Sequence, residues 1–130
     1  MTKTTNYQLN QWAKTDRILM DDFNADNAII EAALAKKPDL FLGSYQGRSK
    51  SGSNNPNTLT FPKPPLLVFI MSASGAHMIM MRGCDQCPNN LGTVRVDWSK
   101  GNTISWWGSS SAIQFDLELY HYIAFLDPKA

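Results

Sequence analysis

Several things are scarce in this chain, and each scarcity closes off a class of protein. Two cysteines in 130 residues are too few for the disulfide scaffold that stabilises many small secreted domains. Charged residues make up 18% of the chain and balance to a net +1, so no general field draws it to nucleic acid or to an anionic membrane. No apolar run approaches the roughly 20 residues that a membrane-spanning helix needs. The start, Met1-Thr-Lys-Thr-Thr-Asn, lacks the apolar core of a secretory signal, so synthesis in the cytoplasm without export by that route is expected. Phosphate-loop chemistry is missing too, because Gly43-x-x-x-Gly47 is not followed by Lys-Ser/Thr. The two histidines, His77 and His121, fall in apolar stretches with no Ser/Asp spacing that would build a triad. No catalytic set and no cofactor are expected.

What is present is apolar and aromatic: 43% hydrophobic residues and four tryptophans, enough for one core with an appendage. Composition divides the chain into three. Residues 1–15 are polar with spaced anchors at Tyr7, Leu9 and Trp12, and read as an extended arm that docks on something, or equally as a frayed terminus. Residues 16–38 read as helix, beginning near Asp16 or re-capped at Asp21 or Asp22. Acids (Asp16, Asp21, Asp22, Asp26) gather towards its start, Lys36 and Lys37 sit at its end, and Pro38 stops it. Met20, Phe23, Asn27, Ile30 and Leu34 repeat at alternating steps of three and four, a heptad seam with one polar member. That seam predicts either self-association, which is preferred because symmetry copies could satisfy Asn27, or packing on the chain's own sheet.

Residues 39–130 change to a period of two. Strands are expected near 42–46, 57–61, 66–72, 77–82, 93–98, 102–107, 112–117 and 119–126, punctuated by Gly-, Asn-, Ser- and Pro-rich turns. The expected class is mainly β, an antiparallel β-sandwich head behind an α-helical, coiled-coil-like stem. Thr93–Trp98 alternates, with Val94, Val96 and Trp98 inward, and a hairpin should turn at Gly101-Asn102. Residues 66–71 and 119–126 are apolar on both faces. Two such strands exceed the needs of one small sandwich, and neighbouring subunits are an obvious second cover.

Two segments carry a family likeness. Leu9-Asn-Gln-Trp12 followed by Asp22-Phe-Asn-Ala-Asp-Asn-Ala-Ile29 resembles the opening of prophage and bacteriophage tail-fibre or tail-tip proteins of Gram-positive bacteria, in which a Leu-Asn-x-Trp arm precedes an Asp-Phe-Asn-x-Asn helix. Gly43-Ser-Tyr-Gln-Gly47, Pro65-Leu-Leu-Val-Phe-Ile70, Ile104-Ser-Trp-Trp107 and Tyr120-His-Tyr-Ile-Ala124 resemble the small β-rich end modules of such proteins. The resemblance implies a virion component, often trimeric, made in the host cytoplasm. It would be held by tail or baseplate proteins through residues 1–15 and face host-surface carbohydrate with its head. The shaft repeats usual in such fibres are absent, which leaves room for an accessory collar or head-fibre role. A stand-alone carbohydrate-binding or lectin-like module is the alternative; a cell-wall hydrolase is remote.

Four sets of residues remain as site candidates. Trp106 and Trp107 should point to opposite faces. Trp107 is the one expected to be exposed, because Trp106 shares its face with Ile104, and it could stack on a sugar or anchor a subunit. Asn54, Asn55, Asn89 and Asn90 would read hydroxyls from nearby loops. Cys84-x-x-Cys87 is half of a zinc site for which the chain supplies only His77 and His121 as a second pair; it reads first as ordinary loop thiols, and after that as a strained disulfide or a metal site. Asp97 with Asp116 or Glu118 could in principle pair as glycosidase acids, although nothing in the sequence brings them together.

Overall fold

The structure, a computed structural model, describes residues 1–129. The described residues are mainly β, with three antiparallel sheets and one helix, and they separate into two units, Met1–Lys37 and Pro38–Pro128.

In the first unit, β1 (Thr2–Lys3) pairs with β2 (Asn10–Gln11) as a small hairpin, ahead of α1 (Met20–Ala35). Residues 1–15 are therefore not the extended arm that their sparse apolar spacing predicts. Polar pairing closes the hairpin instead: Thr4 N–H donates to Leu9 O at 2.8 Å, and the Lys3 ammonium donates to Asn10. The helix starts at Met20, between the two starts that the sequence leaves open. Asp16 accepts from the Ala13 N–H at 2.7 Å and from the N-terminal ammonium at 3.3 Å, fixing a turn at 13–16. Leu19 then stays extended, at φ −115° and ψ 141°.

Polar and aromatic side chains of this segment hold the hairpin to the helix. Asn10, nearly buried, donates its N–H to the Asp26 carboxylate at 2.9 Å and its amide to Asp22 O at 3.3 Å. Trp12 stacks on Phe23 with centroids 5.5 Å apart. Hairpin and helix are thus clamped by Asn10 and Trp12 on one side and by Asp22, Phe23 and Asp26 on the other. The half-buried stripe of α1 is Asp22, Asp26, Ile29 and Ala33, whereas Met20, Phe23, Asn27, Ile30 and Leu34 are exposed.

The second unit holds two four-stranded sheets. Strands β3 (Asp39–Gln46), β5 (Pro65–Ser72), β6 (His77–Met81) and β10 (Leu119–Leu126) form the first, in the order β3-β10-β5-β6. Strands β4 (Asn57–Thr60), β7 (Gln86–Pro88), β8 (Thr93–Lys100) and β9 (Thr103–Trp107) form the second, in the order β4-β9-β8-β7. Both sheets feed one core: Val68, Ile70, Ala124 and Leu126 from the first meet Val94, Val96, Ile104 and Trp106 from the second. Tyr45 of β3 lies edge-on to Trp106 of β9, centroids 6.0 Å apart. The β8–β9 hairpin turns at Gly101-Asn102, where Gly101 supplies the positive φ (65°) that such a tight turn requires.

Two expectations need correction. Residues 86–88, read as loop, form a short strand against β8. Residues 112–117, read as a strand, form a knot of turns. Ala112-Ile-Gln-Phe-Asp-Leu alternates in type, but Gln114, Phe115 and Asp116 are all buried, and Phe115 sits at φ 59°, a left-handed conformation uncommon for a bulky residue. Strands β5 and β10, apolar on both faces, are the two central strands of their sheet; one face enters the core, and on the other Met71, Leu119, Ile123 and Phe125 lie open.

The pattern Gly43-x-Tyr-x-Gly47 has a packing cause. A Cβ at Gly43 would run into the Tyr122 ring, and one at Gly47 would run into the backbone of Asp116 and Leu117. Glycine at Gly47 lets the chain leave β3 against the turn knot, where Gly47 N–H donates to Glu118 O at 2.7 Å and Ser49 N–H to Asp116 O at 2.6 Å.

Candidate functional site

Strand alternation sends Trp106 into the core, fully buried, and leaves Trp107 half-buried on the outer face of the second sheet. Around Trp107 lies an open hollow of about 380 Å³, lined also by Gln86 of β7, Thr93 and Arg95 of β8, Gly52 and Ser53 of one loop, and Gly108 and Ser109 of another. Arg95 is the direct cross-strand partner of both Trp107 and Gln86. A bulge between Asp97 and Lys100 sets this register. Carrying the pairing of Lys100 with Thr103 down the hairpin would place Val96 opposite Trp107, so the extra residue moves Arg95 there instead. The bulge is held by Asp97, whose carboxylate accepts from Ser99 N–H (2.9 Å) and Ser99 Oγ (2.6 Å). Those bonds keep its pKa below the ordinary carboxylate value.

The walls of the hollow are set from beneath by a buried polar cluster. Gln114, fully buried, accepts from Gly52 N–H at 2.9 Å and Gly108 N–H at 3.1 Å through Oε1, and donates through Nε2 to Asn55 O at 2.7 Å. Its own carbonyl accepts from Trp106 Nε1 (2.7 Å) and Asn57 Nδ2 (3.1 Å). One side chain thereby ties together the two loops that flank Trp107. Beside it, buried Asp116 accepts from Arg48 N–H at 2.7 Å and Arg48 Nε at 3.2 Å, and pairs with Arg48 Nη2 at 3.1 Å. Tyr45 donates its hydroxyl to Phe115 O at 2.7 Å, and burial pushes its pKa well above the ordinary tyrosine value. Such a network rigidifies loops because every strained or buried group in it has a partner.

The expected asparagines do not join Trp107. Asn55 donates to Ser51 O. Asn89 donates to Ile113 O and accepts from Leu91 and Gly92 N–H, and Asn90 accepts from His77 N–H. Each amide satisfies the backbone of a turn, the ordinary use of Asn in such segments. Asn89 and Asn90 border a different hollow, with His77 and Ile79, and Asn54 is exposed outside the lining of the Trp107 hollow. Arg95, Gln86 and Thr93 were not singled out from sequence, since the register that gathers them depends on the bulge.

The remaining candidates are separated. Cys84 is exposed in a turn, while Cys87 faces the core from β7; both thiols are free, and burial raises the Cys87 pKa. Among the described residues, no three His, Cys, Asp or Glu side chains gather where a metal ion could be held. Asp97, Asp116 and Glu118 are engaged apart from one another, with Ser99, Arg48 and Ser74 respectively. In the first unit, Tyr7 is exposed beside a hollow shared with Ile29 and Lys36, Leu9 is half-buried, and Trp12 is taken up by Phe23. Against known proteins, no family model matches the chain, and no curated protein or solved structure matches it.

Proposed function

We propose that this chain is a non-enzymatic structural component of a phage tail or phage-like particle, a homotrimer whose β-sandwich head contacts host-surface carbohydrate through the Trp107 hollow. The observation that carries the recognition half is the hollow itself. It offers an aromatic face bordered by one guanidinium, one amide and several hydroxyls, on loops braced by Gln114. An aromatic platform with a few placed polar groups is how proteins grip sugars, the ring covering an apolar pyranose face while donors and acceptors read hydroxyls. The particle half is supported by the N-terminal likeness to tail proteins. Residues 1–37 make a separate small unit suited to attachment, and the row Met20, Phe23, Asn27, Ile30 and Leu34 is exposed, as a trimerising seam would need to be. An accessory collar or head-fibre position fits the same features, and so does a free lectin-like module if the N-terminal unit serves another anchor.

Binding of purified protein to isolated host cell-wall polysaccharide, wild type against Trp107→Ala, tests the recognition reading. Loss of a stacking aromatic should weaken binding by at least tenfold, roughly 1.4 kcal/mol or more. Equal binding by the two proteins, or no binding across a bacterial glycan array, removes Trp107 as a sugar platform.

A further inference from the structure

The two sheets of the second unit present very different outer faces. That of β4-β9-β8-β7 carries Thr58, Thr60, Arg95 and Asp97 around Trp107. That of β3-β10-β5-β6 carries no Asp, Glu, Lys or Arg at any outward position. Its register instead builds two complete apolar rows across all four strands: Leu40–Phe125–Leu67–Met81 and Leu42–Ile123–Phe69–Ile79. Met71 and Leu119 extend the patch, and Ser44, Gln46, His77 and His121 close one end as a polar rim.

Eight of these apolar residues are 37–65% exposed. With a free Leu, Ile, Met or Phe presenting roughly 200 Å², they leave about 800 Å² open. That exceeds the ~300–600 Å² of the largest patch on an ordinary monomer and equals the ~800 Å² per partner of a stable protein interface. We infer that this sheet face is an interface with a second copy of the same chain. Three features favour the self-partner. The area is that of one complete half-interface. The lack of charge removes any means of selecting a charged partner. An apolar sheet face stacks on its own symmetry copy at about 10 Å, as sheets do in sandwiches, and the shallow hollow between Leu42, Phe69, Met71 and Ile123 is available to side chains of the facing copy. The inference concerns a different surface from the Trp107 hollow and from the α1 row, and does not depend on the ligand.

Sedimentation velocity of the full chain at tens of micromolar tests it, comparing wild type with Leu42→Lys/Ile79→Lys. Both positions lie at the ends of one row, on edge strands, and are already 65% and 50% exposed, so the lysines can reach water. Ile30→Glu/Leu34→Glu and Thr58→Lys serve as controls on α1 and on the other sheet. The expected result is an oligomeric wild type and a drop in subunit number with the sheet-face lysines at an unchanged circular-dichroism spectrum, with Thr58→Lys unaffected. A monomeric wild type would overturn the inference, whether or not it floats with phosphatidylcholine vesicles, and so would an oligomer lost only with the α1 substitutions. Should the lysine variant misfold, peroxide oxidation of the wild type decides. Met71 and Met81 should be protected several-fold relative to Met1 at high protein concentration and not at low concentration; protection equal to Met1 at both refutes the interface. Sugar binding by a monomeric wild type would leave the Trp107 reading intact.

Discussion

Replacing Gln114 with Leu tests whether one buried amide sets the shape of the Trp107 hollow. The two side chains are similar in volume, so no large cavity opens and the loss is polar. Four neutral hydrogen bonds disappear: to Gly52 N–H, Gly108 N–H, Asn55 O and, at 3.4 Å, Asn57 Oδ1, which keeps Arg48 Nη2 as a donor at 3.0 Å. They do not count equally. Gly52 N–H also donates to Gly108 O at 3.0 Å, and Asn55 O also accepts from Arg48 Nη2 at 3.1 Å, so each keeps one partner. Gly108, which is buried, loses the acceptor for its N–H. An orphaned buried donor costs about 1–3 kcal/mol and each of the three shared bonds about 0.5 kcal/mol of its usual net worth; the sum is roughly 2.5–4.5 kcal/mol. At 4–8 °C per kcal/mol for a unit of this size, the melting temperature should fall by about 10–35 °C, read by calorimetry. Sugar binding measured well below that transition should weaken as well, because Gly52, Ser53, Gly108 and Ser109 are no longer held together. A loss under about 0.5 kcal/mol, or full stability with unchanged loops, would refute the role given to this residue.

Other expectations follow from the same geometry. Tyr45 has its pKa raised by burial, so its stabilisation is present below the ordinary tyrosine value of about 10 and is lost as pH rises beyond it. Wild-type melting temperature should therefore drop steeply in alkali. Tyr45→Phe should cost about 1 kcal/mol at neutral pH and flatten that alkaline fall, though not abolish it, because Tyr120 and Tyr122 are shifted the same way; an unchanged alkaline profile counts against the assignment. Gly47→Ala drives a methyl into the backbone of Asp116 and Leu117, where no rotamer change gives relief, and should cost at least ~2 kcal/mol in urea unfolding; a neutral result would mean the turn knot yields. Asn27→Ile should raise stability or change the subunit number seen by light scattering if the α1 row meets its own copies; no change in either places Asn27 in solvent.

Some of this was legible from residues alone. The alternation of Thr93–Trp98 and the two-residue turn at Gly101-Asn102 are local, since a strand has a period of two and a tight turn needs glycine, and they emerge in the fold as read. So does the inward turn of Trp106, because its neighbour two positions back is Ile104. The failures share a cause. Residues 112–117 alternate in type, yet Gln114 and Asp116 turn inward because their partners arrive from residues 48–57, about sixty positions away. A polar side chain looks like a surface residue until a remote segment satisfies it. Residues 1–15 looked too sparse to fold for the same reason: Asp22 and Asp26 supply what Asn10 needs.

The sequence by itself determined the β class, the strand rhythm and the double-sided apolar character of residues 66–71 and 119–126. Only the tertiary structure decided what those apolar residues do, by aligning four strands so that separate outward side chains form two continuous rows. It also decided, through a bulge, that Arg95 and not Val96 stands opposite Trp107. Periodicity along a chain reports which side of a strand a residue occupies. The neighbour across the strand, and whether that side meets water, are set by register and pairing, which are properties of the whole sheet.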